Sequence, residues 1–177
     1  METTAEPYGP LAHFLPLADN TVYSYHTVDE ETGETGLFVI RVRHATSGLV
    51  ELTVGGNRHW LEPTPRAVRH TGGGSLLRMP LVAGSTWKGP AGIVELTAIG
   101  RRVDVPAGTF HGCIQTTEES AIGETSQRIV TDYCPEVGIA RLAIESTVST
   151  TRRREVAELQ DWGPQLDWGD DGITITK

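Results

Sequence analysis

Nowhere in the chain do about eighteen apolar residues follow one another, so no segment has the length and hydropathy of a membrane-spanning helix. The opening stretch, METTAEPYGP, has neither a basic region nor an apolar h-region. It reads as a flexible terminus, preferably of an exported protein whose leader has been replaced by Met, otherwise of a cytoplasmic protein with a native start. Aromatic residues are scarce, 6 % of 177, and apolar residues total 38 %, enough for one hydrophobic core and hardly for two. Positive charge is scarce too. Fifteen Lys and Arg stand against 23 Asp and Glu, and the formal charge of -8 repels a phosphate backbone or an anionic membrane surface unless a local basic patch reverses it. Nucleic acid is not an expected partner. Several enzyme patterns are also missing: no H-E-x-x-H zinc helix, no G-x-x-x-x-G-K-[ST] phosphate loop, no G-x-S-x-G elbow and no C-x-x-C pair. No catalytic residue, metal or cofactor is expected.

What the chain does have is turn and strand chemistry, with 20 Gly, ten Pro and many Thr and Val residues. Phe38, Ile40 and Val42 alternate with Val39, Arg41 and Arg43, and Val50, Leu52 and Val54 alternate with Glu51 and Thr53, so each run offers one apolar face. The connector HATSG makes the two a hairpin. Similar runs cover 21–27, 58–61, 93–99, 113–122, 125–134, 139–147 and 153–161. The last also fits an amphipathic helix, with Val156 and Leu159 three apart, but its context favours a strand. The expected fold is all-β, a single curved antiparallel sheet forming a half-barrel or sandwich-like meander of about ten strands. Residues 1–13 read as a flexible N-terminal segment, 14–162 as the β domain and 163–177 as an acidic C-terminal tail.

An internal echo links LPLADNTVY, from Leu15, with MPLVAGSTW, from Met79, 64 residues on. Pro16 and Pro80 cannot donate a ladder hydrogen bond, and Asn20 and Gly84 tolerate positive φ, so each copy reads as a tight turn launching a strand with an inward aromatic, Tyr23 or Trp87. The ionisable residues give weaker signals. Six histidines are scattered, and only His59 and His70, with Glu62 nearby, hint at a metal site without the third ligand that zinc needs. Glu118 and Glu119 are adjacent on one strand and point to opposite faces, so they cannot act as an acid and base pair. Asp167, Asp170 and Asp171 lack the spacing of a calcium loop, and the Gly72–Gly74 run lacks the lysine of a phosphate loop.

The segments LPLADNTVYSY, LLRMPLVAGSTW, VDVPAGTFHGCIQTTEE and YCPEVGIARLAIES resemble a widespread group of bacterial exported and lipoprotein β-domains. That group repeats blocks of the type PL-x-x-G-x-x-W, V-P-A-G-T-F-x-x-C and Y-A-P-G-V-G-L. The resemblance implies a curved antiparallel sheet and an exported, periplasmic or lipid-anchored location in the envelope after leader removal. It supplies no catalytic residues. Two departures stand out: Ala18-Asp19-Asn20 replaces a Gly-containing turn, and Cys134-Pro135-Glu136 stands where Ala-Pro-Gly is usual.

That second cysteine gives Cys113 a partner. CIQTTEESAI and TSQRIVTDYC are equal in length and flank Gly123-Glu124, a Gly-first pair that suits a type II′ turn. Partner numbers then sum to 247, which sets Glu119 against Arg128, Ile114 against Tyr133 and Cys113 against Cys134 at a non-hydrogen-bonded site. A disulfide is expected there, suited to an oxidising compartment, with two buried free thiols as the alternative. The leading functional expectation is a non-enzymatic binding or structural domain of the cell envelope with an unknown protein or amphiphilic partner. A second is carriage of a lipid or other amphiphile in an apolar concavity walled by Phe38, Trp60 and Trp87, with Tyr23 a further pocket or core aromatic. A third is a metal-dependent hydrolase using His59, His70 or His111.

Overall fold

A computed structural model describes residues 9–166. Of these, 66 % lie in strands and 3 % in helix. A helical turn, α1 (Leu11–Phe14), precedes twelve strands. The first six are β1 (Thr21–Asp29), β2 (Thr35–His44), β3 (Val50–Val54), β4 (Asn57–Pro63), β5 (Ala67–His70) and β6 (Ser75–Arg78). The second six are β7 (Thr86–Lys88), β8 (Ile93–Val105), β9 (Gly108–Ile122), β10 (Thr125–Cys134), β11 (Gly138–Val148) and β12 (Thr151–Pro164). All lie in one sheet, in the order β6-β5-β4-β3-β2-β1-β12-β11-β10-β9-β8-β7, with antiparallel pairing throughout. Two six-strand meanders therefore meet where β1 pairs with β12, and the sheet curls into a nearly closed barrel.

The curved antiparallel meander is the expected one, and the segment 153–161 is strand rather than helix. The strand number exceeds the expected ten or so because β5, β6 and β7 are only four, four and three residues long, too short to show alternation. The two copies of the echo launch β1 and β7, the first strand of each meander. Asn20 (φ 56°) and Gly84 (φ 89°) take the left-handed conformation their residue types favour, and Tyr23 and Trp87 are both buried.

The free edges β6 and β7 meet at a seam closed without a ladder. Trp87 Nε1 donates to the Ser75 carbonyl at 3.0 Å, and Gly74 lies against Gly89 so closely that a Cβ on either would overlap its surroundings. The opposite wall is pinned by hydrogen-bonded hairpins. Inside, Tyr25, Val42, Val50, Leu61, Val68, Leu77, Leu96, Ile114 and Leu159 form one continuous buried cluster.

The N-terminal boundary differs from expectation. Residues 1–8 lie outside the described residues, but 9–13 are not a loose segment: Leu11 is fully buried and joins the core with Leu15 and Leu17. This stretch plugs one end of the barrel, held by Glu136 N–H to the His13 carbonyl and by the His44 ring against the Leu17 carbonyl. Three leucines at 11, 15 and 17 supply the driving force, since burying each removes apolar surface from water. At the other terminus Gly163 and Pro164 belong to β12, and Gln165 N–H bonds the Asn20 carbonyl, so the strand outlasts the expected tail boundary. The rest of the tail, from Asp167 with Trp168, Asp170 and Asp171, lies outside the described residues.

Candidate functional site

The four aromatics read from the sequence do not share one pocket. Tyr23 and Trp87 are 7 % and 5 % exposed and sit in the core. Phe38 is half-buried against it, its ring 5.7 Å from that of Tyr25. Trp60 is a correction to the expected grouping. Leu61 points inward, so its neighbour must point out, and Trp60 lies half-exposed on the outer face opposite Glu51. Trp162 is also on the periphery, 37 % exposed with its ring edge-on to Phe110.

The interior is filled by side chains. The cleft among Leu15, Leu17, Tyr23, Tyr25, Ile40 and Val42 holds about 20 Å3, and that beside Phe38, Leu142, Ile144 and Ala157 about 50 Å3. A drug-sized or acyl ligand needs several hundred. Burial shows in the phenols as well: desolvation pushes Tyr23 up to about 12, and Tyr25 and Tyr133 are raised further by the same cause. Tyr25 still satisfies its hydroxyl, which donates to the Ile139 carbonyl at 2.8 Å. Neither of these two clefts has the volume of the amphiphile-sized concavity expected from the sequence.

On the outer face, β9 to β12 and β1 carry three cross-strand rows. One runs Gln115, Asp132, Arg141, Glu158, His26. A second, near the hairpin tips, runs Glu119, Arg128, Glu145, Arg154 and ends on Glu30. Between them lies an uncharged row, Thr117, Val130, Ala143, Val156 and Val28. Opposite charges face one another along both outer rows: Arg128–Glu119 at 3.5 Å, Arg141–Glu158 at 3.6 Å and Arg154–Glu145 at 3.3 Å. Asp132, nearly buried, is served by Gln115 Nε2 at 3.0 Å and Arg101 at 3.5 Å. Each pair contributes a few tenths to about 1 kcal/mol, and a slip of two residues would lose the pairing while one of four would set like charges opposite. A polar trough of about 530 Å3 along Glu119, Arg128, Glu145 and Arg152 is lined by these ion-paired groups.

The cysteines form the disulfide that the hairpin register requires. Gly123 has φ 60°, Thr125 pairs with Ile122, Arg128 with Glu119 and Tyr133 with Ile114. Cys113 and Cys134 follow with Cα atoms 4.2 Å apart, both wholly buried.

Among the histidines, the structure joins His59 and His70. Gly72 N–H donates to His70 Nδ1 at 3.0 Å, which leaves the His70 Nε2–H to face His59 Nδ1 at 3.4 Å. Glu62 points to the other face and pairs with Arg69, and His111 lies at the start of β9 near Asp104. Among the described residues no group of three or more His, Cys, Asp or Glu converges, so the hydrolase reading has no assembled centre. Glu118, separated from Glu119 by the sheet as expected, accepts the backbone N–H groups of Ala91 and Gly92 at 2.7 and 2.8 Å and fixes the β7–β8 turn.

No family model matches the chain, and no curated protein matches it. Two solved structures share the fold. One is a putative exported protein with a YMCC-like fold from Bacteroides fragilis, 12 % identical, aligned over 85 % of this chain and 99 % of that one with a TM-score of 0.55. The other is a putative lipoprotein from Parabacteroides distasonis, also 12 % identical, aligned over 85 % of this chain and 98 % of that one with a TM-score of 0.52.

Proposed function

We propose that this chain is a non-enzymatic binding or structural domain of the bacterial cell envelope, exported and acting outside the cytoplasm. The observation that carries the reading is the buried Cys113–Cys134 disulfide, a bond that persists in oxidising compartments and is rare among cytosolic proteins. Support comes from the resemblance of the sequence blocks to exported β-domains and from fold neighbours described as a putative exported protein and a putative lipoprotein. The filled barrel supports binding on the outside rather than carriage within. Ionisable groups on the long wall are engaged with one another, in keeping with a scaffold rather than a reaction centre.

The test is thiol alkylation in the native cells combined with protease accessibility after opening the outer compartment. The expected result is a protease-accessible protein whose cysteines resist alkylation until reduction. A protected protein with both thiols freely alkylated under denaturing conditions would overturn the proposal.

A further inference from the structure

We propose that the β5–β6 hairpin carries a binding site for a phosphate-type oxyanion, formed by Arg66, Arg69 and Arg78. The inference stands on different residues from the envelope reading and does not depend on it. The hairpin register sets Ala67 against Arg78 and Arg69 against Ser75. Thr64 fixes the approach to β5, its Oγ1 accepting from Arg66 N–H at 3.3 Å and Ala67 N–H at 3.0 Å, while Met79 N–H closes onto the Arg66 carbonyl. The three arginines are thereby gathered around one depression of about 270 Å3, floored by Ala67 and Ser75. That is the liquid volume of roughly nine waters, room for a hydrated phosphate or the phosphate of a headgroup.

The charge balance there is opposite to that of the rest of the chain. The protein is formally -8, and the arginines of β8 and of β10 to β12 stand at carboxylates: Arg101 at Asp132, Arg102 at Asp104, Arg128 at Glu119, Arg141 at Glu158. In the hairpin, among the described residues, Arg66 and Arg78 have no carboxylate within 4.0 Å. Arg69 has one, Glu62 at 3.7 Å, with both side chains more than half exposed, and such a pair is weak and readily exchanged. Three like charges beside one hollow repel until an anion enters. Guanidinium groups present planar forks of N–H donors that match phosphate oxygens in pairs, and the use of arginine alone favours geometric recognition over point charge. The overall negative charge repels a long polyanion, so a single phosphate group is the ligand that satisfies both the local and the global field.

The experiment is a titration of the 15N-labelled full chain with inorganic phosphate at fixed ionic strength, with chloride as the reference anion. A parallel arm measures sedimentation with phosphatidylglycerol vesicles against phosphatidylcholine vesicles. Saturable shifts confined to the amides of residues 64–79 are expected, weakened at least tenfold in R66Q/R78Q and unchanged in R128Q/R152Q, whose arginines already face carboxylates. Arg66 and Arg78 are exposed, so their replacement leaves the fold intact, which an unchanged Tm verifies. Vesicle binding that is specific for phosphatidylglycerol and lost in R66Q/R78Q assigns the site to a lipid headgroup. Phosphate binding without vesicle binding assigns it to a soluble anion. Unsaturable shifts shared with chloride, or saturable ones that survive R66Q/R78Q, overturn the proposal.

Discussion

The two six-strand meanders solve the same problem differently. From β8 to β12 the strands run ten to fifteen residues, joined by tight turns, pinned by a disulfide and crossed by rows of opposite charge. From β2 to β6 they shrink from ten residues to four, and the last of them meets β7 at the Trp87 seam. Local pairing stabilises the long arm. The short one, also paired strand to neighbouring strand, closes on side-chain and glycine contacts at the seam instead of on a ladder. The difference extends to chemistry, because the long arm's ionisable groups neutralise one another whereas the short arm carries the paired imidazoles and the arginine hollow.

The comparison breaks most readily at the seam. Trp87→Ala removes a buried ring and its hydrogen bond to Ser75, and is expected to cost about 3–5 kcal/mol in urea unfolding. Hydrogen exchange should accelerate in β5 to β7 well before β9 to β11. Equal acceleration in both arms would mean that the seam does not define a separate unit.

In the long arm, Cys113→Ala with Cys134→Ala opens a loop with a sequence separation of 21. The chain-entropy treatment gives a loss of roughly 3 kcal/mol at this loop length. The hairpin register should survive, read as intact cross-strand contacts between Glu119 and Arg128, because the Gly123-Glu124 turn sets it independently.

A smaller difference depends on pH. Asp29, where β1 turns toward β2, is held below the ordinary carboxylate value by the backbone N–H groups of Thr32 and Glu31 and then by Arg153. A lowered folded value contributes stability that is complete above the unfolded value of about 3.9 and is lost as pH falls through the folded one. Asp29→Asn should therefore flatten the acid limb of the Tm profile below about pH 4. An unchanged limb would remove Asp29 from the account of acid sensitivity. The smallest effect belongs to the charge rows: Glu145→Gln loosens Arg152 and Arg154, and these partly exposed pairs are expected to cost about 1 kcal/mol. A larger loss in thermal unfolding would show that the rows act as one network.

How much was legible in the sequence follows the same division. A two-residue Gly-first turn sets register by arithmetic, so the β9–β10 pairing and the disulfide could be read residue by residue. The echo revealed both strand-launching turns because their φ preferences reside in single residues, Asn20 and Gly84. Barrel closure was not legible, since the seam rests on one indole hydrogen bond and two glycines facing each other across the fold. Trp60 reads as a core or pocket-wall residue from its place in a strand-like run beside apolar neighbours, although alternation from Leu61 carried the signal for its outward face. Arg66, Arg69 and Arg78 look like scattered surface charge until the four-residue strands β5 and β6 fold them onto one hollow.

The most direct test of a filled, disulfide-locked barrel is the intact mass of the protein recovered from its native cells, recorded from non-denaturing buffer without reductant. The expected species is two hydrogens lighter than the same chain after reduction and carries no bound amphiphile. A species already at the reduced mass, or one retaining a stoichiometric lipid in the wild type and in R66Q/R78Q alike, would contradict it.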